Sequence, residues 1–183
     1  INVAIKTGEF ASHPTLLQSV RYAKEQNKPL HLIGLVSDGG VHAHSTHLKA
    51  LCDLCKTEGL TNVFIHAFTD GRDTDPKSGQ CYIESLETHL KKSVGKIASI
   101  SGRYYAMDRD KRWERVQLAF NALVKGTVHL KPFKKIMLKT PQTNLFCQRC
   151  LQKMGSLSQP FKKETLSSVL ILEQTVVEKL LKS

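Results

Sequence analysis

The chain has 183 residues, of which 40% are hydrophobic and 23% are charged, and a formal net charge of +11. This length allows one well-cored domain or one domain with an appendage, and the absence of an apolar run of roughly 20 residues excludes a membrane-spanning helix. Five cysteines, together with an opening that lacks an apolar leader, predict a reducing cytoplasm rather than a disulfide framework. The first residue is Ile1, which predicts a fragment or a processed chain.

Helical and strand patterns alternate up to about residue 125. Apolar residues at three- and four-residue spacing predict helices, and short apolar runs bounded by Gly and Asp predict buried parallel strands. In chain order the predicted elements are a helix at 13–26, a strand at 30–36, a helix at 44–58, a strand at 62–68, a helix at 78–92, a strand at 96–100 and a helix at 110–124. This alternation predicts an α/β fold, with a layered, mainly parallel sheet flanked by helices.

The C-terminal part has a different composition and is predicted to be an irregular basic tail. Residues 131–183 contain ten Lys or Arg, three Glu and no Asp. Only residues 164–181 have the pattern of an amphipathic helix. A basic tail suggests nucleic acid, but no aromatic-rich platform accompanies it, so no nucleic-acid partner is expected.

Polar residues cluster after each predicted strand, where open α/β sheets bind their ligands. Arg72, Arg103 and Arg109 lie in such loops, and His42 lies in the loop after the first strand. Because the planar guanidinium binds carboxylate and phosphate, these loops suit a small ligand that carries both groups. Asp73 is placed to accept hydrogen bonds from ligand hydroxyls, which favours a sugar-acid phosphate.

Ordinary structural roles are open for the same residues. A loop arginine is often solvated or paired with a surface acid, and Asp38 and Asp70 also fit as caps of the helices that follow them. The histidines at 42, 44 and 47 suggest zinc, but their spacing matches no established zinc finger. The pair Cys52 and Cys55 falls on a helix stripe and is interpreted as core. No metal is expected on this chain.

Three segments resemble the cofactor-independent (2,3-bisphosphoglycerate-independent) phosphoglycerate mutase family: SDGGVHAH (37–44), HAFTDGRDTDPKSG (66–79) and SGRYYAMDRDKRWERV (101–116). The resemblance covers residues 1–127 and implies the inserted phosphotransferase domain, which binds substrate. It implies an isomerase of glycolysis and gluconeogenesis that interconverts 3-phosphoglycerate and 2-phosphoglycerate through a phosphoserine. The serine and two Mn²⁺ ions would belong to a phosphatase-like domain, and the enzyme would be a cytoplasmic monomer.

The resemblance also assigns roles to individual residues. His42 would contact the phosphoryl group, and Arg72 and Asp73 would hold the glycerate, with Asp73 as the proton handler. Arg103 and Arg109 would clamp carboxylate or phosphate. Because the serine and the metal ligands have no counterpart here, the isolated chain is expected to bind substrate without turning it over. The alternative is a stand-alone binding module for small phosphorylated acids, without catalysis.

Residues 128–183 lack the TDEF and NFR-x-DR-x-R motifs that the family has downstream. A shifted reading frame joins the third base of each codon to the first two bases of the next codon. In that frame, the genetic code allows the DNA of residues 136–148 to encode YAENATDEFILP and that of residues 170–181 to encode NFRTDRGREIT. Both motifs occur in one shared frame and in the family's order. We therefore hypothesise a single-base insertion or deletion near residues 126–130, which a DNA sequence without such a change would contradict.

Overall fold

The computed structural model describes residues 1–125 and 169–172. Its helices and strands alternate along the chain, as an α/β fold requires. In order they are α1 (Asn2–Thr7), α2 (Glu9–Ser12), α3 (Pro14–Glu25), β1 (Leu30–Leu35), α4 (Ser45–Thr57), β2 (Val63–Thr69), α5 (Gly79–Leu90), β3 (Lys96–Gly102), α6 (Arg103–Ala106), α7 (Trp113–Lys125) and β4 (Val169–Leu172). None of the helices in these two ranges is long and apolar enough to cross a membrane.

The strands form one sheet in the order β3-β2-β1-β4, and all three pairings are parallel. Leu30 lies opposite Val63, and the register between β2 and β3 shifts once, at Ile65 and His66. A parallel pair cannot be joined by a tight hairpin, so α4 connects β1 to β2 and α5 connects β2 to β3. Because the strands are parallel, the ends of β1, β2 and β3 lie at the same edge.

The main core lies between one face of the sheet and the helices. Leu32 and Ile65 point to this face from adjacent strands, and both are at most 1% exposed. The apolar stripe of α4 packs against them through Leu51 and its neighbours. Side chains alternate along a strand, so His31 and His66 point to the opposite face, where they are also buried.

The strands and helices predicted within residues 13–124 are all confirmed, with bounds that differ by up to three residues. The short helices α1, α2 and α6 were not predicted. The amphipathic helix that the pattern of residues 164–181 allowed is not formed at β4, where the run VLIL forms a strand beside β1. A short apolar run carries too little periodicity to separate strand from helix, and pairing with the exposed edge of β1 decides in favour of the strand. The rest of the predicted tail lies outside the described residues.

Candidate functional site

The loops that follow β1, β2 and β3 meet at one edge of the sheet. Ser37 lies two residues after β1, Asp70 follows β2 directly, and Arg103 follows β3 directly. The first two loops are in contact, since a Cβ atom placed on Gly39 would lie 3.1 Å from the Asp73 Cβ. A glycine allows this close approach of the backbone. The parallel topology therefore brings together side chains that lie more than thirty residues apart in the sequence.

Asp70 links the three loops through its carboxylate, and it is only 4% exposed. Its Oδ1 accepts hydrogen bonds from the backbone N–H groups of the next three residues, at 2.8, 3.0 and 3.1 Å. The same oxygen accepts from Arg103 Nη1 at 2.9 Å, and Oδ2 accepts from Ser37 Oγ at 3.0 Å. Aspartate favours this kind of turn because its short side chain reaches the backbone just ahead of it. Asp70 thus fixes the second loop and ties it to the other two.

Arg103 is shared between two carboxylates. Its Nη1 donates to Asp70 Oδ1 at 2.9 Å and to Asp73 Oδ2 at 2.6 Å. The Arg103 side chain is 13% exposed, so these ion pairs are largely shielded from water. Charge-assisted hydrogen bonds of this length are strong, and low exposure strengthens them further.

The hydrogen bonds around Asp70 keep its carboxylate ionised. Burial alone would raise the pKa of Asp70, but the N–H groups of Arg72 and Asp73 and the Arg103 guanidinium outweigh burial and lower the pKa to about 2. Burial would lower the pKa of Arg103, and its two carboxylate partners raise it instead. The centre therefore contains one guanidinium between two carboxylates, and Asp70 stays charged at neutral pH.

A tyrosine from α5 also reaches this edge of the sheet. The Tyr82 hydroxyl donates a hydrogen bond to Asp38 Oδ1 in the loop after β1. This bond raises the pKa of the Tyr82 hydroxyl, because the nearby carboxylate disfavours the phenolate. Tyr82 was not among the predicted site residues, and no local signal marks it, since the two partners are 44 residues apart.

The segment that carries Arg109 is held by a separate cluster. The Asp108 carboxylate accepts from the backbone N–H groups two and four residues further on, at 3.1 and 2.9 Å, and from Arg115 Nη1 at 3.2 Å. The Arg115 guanidinium lies over the Tyr104 ring, 3.9 Å from its centroid, in a cation–π arrangement. These contacts fix the third loop against the first turn of α7.

Of the predicted site residues, the structure brings Arg103 and Asp73 into direct contact. His42 is half-buried, whereas Arg72 and Arg109 are exposed. Within residues 1–125, no hydrogen bond or ion pair joins the side chain of His42, Arg72 or Arg109 to that of Asp73 or Arg103. The roles of all five residues in ligand binding remain predictions.

The neighbouring histidines have local structural partners. His44 is the N-cap of α4, and its Nδ1 accepts from the Thr46 backbone N–H at 3.2 Å. His47 Nε2 lies 2.9 Å from Asn2 Oδ1, and burial lowers the pKa of His47 to about 4. In the described ranges, no three His, Cys, Asp or Glu side chains are grouped as metal ligands would be.

The two cysteines on α4 are core residues, as the helix stripe predicted. Cys52 and Cys55 are both 0% exposed. Burial raises the pKa of each thiol to about 12, so neither forms a thiolate at neutral pH. The sequence has another pair at the same spacing, Cys147 and Cys150, which lies outside the described residues.

Comparison with known proteins identifies the family. The family model described as BPG-independent PGAM N-terminus matches residues 1–144, and the chain belongs to this family. It is 56% identical over 126 residues to the 2,3-bisphosphoglycerate-independent phosphoglycerate mutase of Parabacteroides distasonis, with 69% of this chain and 25% of that protein covered. The enzyme of the same name from Clostridium novyi is 51% identical over 135 residues, with 72% of this chain and 26% of that protein covered.

A solved structure gives the same result for the fold. The phosphoglycerate mutase of Leishmania mexicana, crystallised at low cobalt concentration, superposes with a TM-score of 0.66 and 29% sequence identity. The superposition covers 77% of this chain and 28% of that one. The chain thus spans about a quarter of the length of the curated relatives it matches.

Proposed function

We propose that this chain is the substrate-binding part of a 2,3-bisphosphoglycerate-independent phosphoglycerate mutase, which interconverts 3-phosphoglycerate and 2-phosphoglycerate in glycolysis. The observation that carries this proposal is the Arg103 guanidinium, held between Asp70 and Asp73 where three parallel strands end. Guanidinium groups bind carboxylates and phosphates through paired N–H donors. A phosphoglycerate presents both of these anionic groups on one small molecule.

The other predicted residues would complete the binding site when the ligand is present. Arg103 and Arg109 clamp its carboxylate or phosphate, and His42 contacts the phosphoryl group. Arg72 and Asp73 hold the glycerate. The Asp73 side chain is 19% exposed and so can reach a ligand hydroxyl, which supports its assignment as the proton handler.

The contribution of this chain to the reaction would be positioning and charge stabilisation. Holding the glycerate between fixed cations keeps the reacting groups aligned while the phosphoryl group leaves and returns. The serine nucleophile and Mn²⁺ would come from another part of the parent protein. The described residues offer no cluster of three His, Cys, Asp or Glu ligands for such an ion.

The proposed setting is a reducing cytoplasm, with a monomer acting on a small molecule. Support for the compartment comes from Cys52, Cys55 and Cys81, which are all free thiols. Cytosolic proteins keep their cysteines reduced, whereas secreted domains pair them.

Calorimetric titration of the 183-residue chain with 3-phosphoglycerate tests the proposal. We expect saturable binding that Arg103→Ala weakens by about thirtyfold, because a hydrogen-bonded charge is lost. Glycerol 3-phosphate, which lacks the carboxylate, should bind more weakly to the unaltered chain.

The matched control is Arg21→Ala. Arg21 pairs with Glu58 at 2.8 Å near the far end of α4, away from the strand ends that form the site. Its replacement should leave the affinity unchanged. Equal affinities of the unaltered chain and Arg103→Ala, or equal binding of the two ligands, would contradict the proposal.

A further inference from the structure

We propose that Asp70 is a positioning residue that holds Arg103 by Nη1 and thereby presents the Nε–Nη2 edge of the guanidinium to an anion. The inference rests on the proposed function, in which that anion is the carboxylate or phosphate of a phosphoglycerate. The sequence alone was compatible with Asp70 as a simple helix cap. The structure adds a contact to a predicted ligand-binding arginine.

The hydrogen-bond pattern of Arg103 decides which edge is available. Both of its carboxylate partners accept from Nη1, Asp70 at 2.9 Å and Asp73 at 2.6 Å. Within residues 1–125, no acceptor is bonded to Nε or Nη2. The N–H bonds of Nε and Nη2 run nearly parallel along one edge of the planar group, so this edge can hold two oxygens of one anion side-on.

Asp70 is better fixed than Asp73 and is therefore the residue that positions the arginine. The Asp70 carboxylate is held by three backbone N–H groups and the Ser37 hydroxyl. The Asp70 side chain is 3% exposed. The Asp73 side chain is 19% exposed, and Arg103 is the only hydrogen-bond partner of its carboxylate among the described residues. Asp73 can therefore turn towards a ligand while Asp70 keeps the guanidinium in place.

The substitution Asp70→Asn separates this role from that of a loop cap. The asparagine side-chain oxygen can still accept the three backbone N–H bonds, and its amide can donate to Ser37. What the substitution removes is the negative charge facing Arg103. If Asp70→Asn changes only the orientation of the Arg103 guanidinium, collapse of the loop is therefore not the cause.

The first experiment measures rotation of the Arg103 guanidinium in the ligand-free 183-residue chain by ¹⁵N NMR, with the signal assigned by its absence in Arg103→Lys. We expect separate, slowly exchanging Nη signals in the unaltered chain and in Asp73→Asn, and averaged signals in Asp70→Asn. A freely rotating guanidinium in the unaltered chain would overturn the proposal, even if no variant folds. Retention of slow rotation in Asp70→Asn would overturn it as well.

The second experiment measures 3-phosphoglycerate affinity. Asp70→Asn should weaken binding by about tenfold, the effect of disturbing one charged hydrogen bond. In an Arg103→Lys background it should cause no further loss, because lysine has no Nε–Nη2 edge to orient. The control Asp53→Asn, at a surface contact with His89 and Ser93, should change nothing.

Additive losses in the double variant would mean that Asp70 acts through the fold and not through Arg103, which would overturn the proposal. If the unaltered chain does not bind 3-phosphoglycerate, the proposed function fails, and the NMR experiment still decides whether Asp70 positions the arginine. The two failures are therefore distinguishable.

Discussion

Mild acid is expected to unfold this protein through a buried pair of histidines on β1 and β2. His31 Nδ1 lies 2.9 Å from His66 Nε2, and His66 Nδ1 lies 2.8 Å from Ser99 Oγ. A neutral imidazole has one donor and one acceptor nitrogen, so this chain of hydrogen bonds is complete in either direction while both rings are neutral. If both rings were protonated, two N–H groups would face each other.

The magnitude follows from the two pKa shifts. Burial lowers the pKa of His31 from its ordinary value of 6.5 to about 4, and burial together with the charge of His31 lowers that of His66 to about 3. Between pH 6.5 and about 4 the unfolded chain therefore binds more protons than the folded chain, and stability falls as the pH falls. Each histidine contributes about 1.4 kcal/mol per pH unit to this loss, or about 2.7 kcal/mol per pH unit for the pair.

The measurement is the free energy of unfolding by urea at about pH 7, 6 and 5, where the histidine linkage acts. Far-UV circular dichroism is the suitable signal, because Trp113 is 71% exposed and its fluorescence would respond weakly to unfolding. His66→Gln keeps a donor and an acceptor but cannot be protonated. His31 and His47, whose pKa values burial also lowers to about 4, still titrate, so the pH dependence should fall by about a third. The control Gln117→Ala alters an exposed residue that does not titrate and should leave the slope unchanged. Equal slopes in the unaltered chain and in His66→Gln would show that the buried histidine pair does not cause the acid sensitivity.

Two further expectations concern the core and the site. Cys52 and Cys55 should react with iodoacetamide only after unfolding, since burial raises the pKa of both thiols to about 12, whereas the exposed Cys81 should react in the native chain. Peptide mapping by mass spectrometry checks this, and faster native labelling of either buried cysteine than of Cys81 would contradict it. Gly39→Ala would place a methyl group 3.1 Å from the Asp73 Cβ, so it should lower stability by about 1–3 kcal/mol and weaken 3-phosphoglycerate binding. Chemical denaturation and calorimetry measure both effects, and an unchanged affinity would argue against the packing of the two loops.

Local patterns were enough to predict the secondary structure of residues 13–124. The three- and four-residue spacing around Leu51, Cys52 and Cys55 predicted α4 and its buried face, because only a helix brings residues at this spacing together. The strand ends followed in the same way: the loops that carry Asp73 and Arg103 were predicted to serve one small ligand. In the structure these two side chains are in contact. A helix over residues 164–181 is not formed at β4, where pairing with β1 outweighs a weak local pattern.

The sequence was thus enough to identify the residues near the strand ends. Side-chain periodicity is a property of short segments, and alternation of strands and helices along the chain makes neighbouring strands parallel. Which of them bond to one another depends on how the chain packs in three dimensions. Arg103 could have faced solvent or any of several acids, and its partner is Asp70 because three backbone N–H groups already fix that carboxylate within reach. The bond from Tyr82 to Asp38 joins residues 44 positions apart. Such contacts depend on how α5 and the loops pack in three dimensions, and no local spacing encodes that.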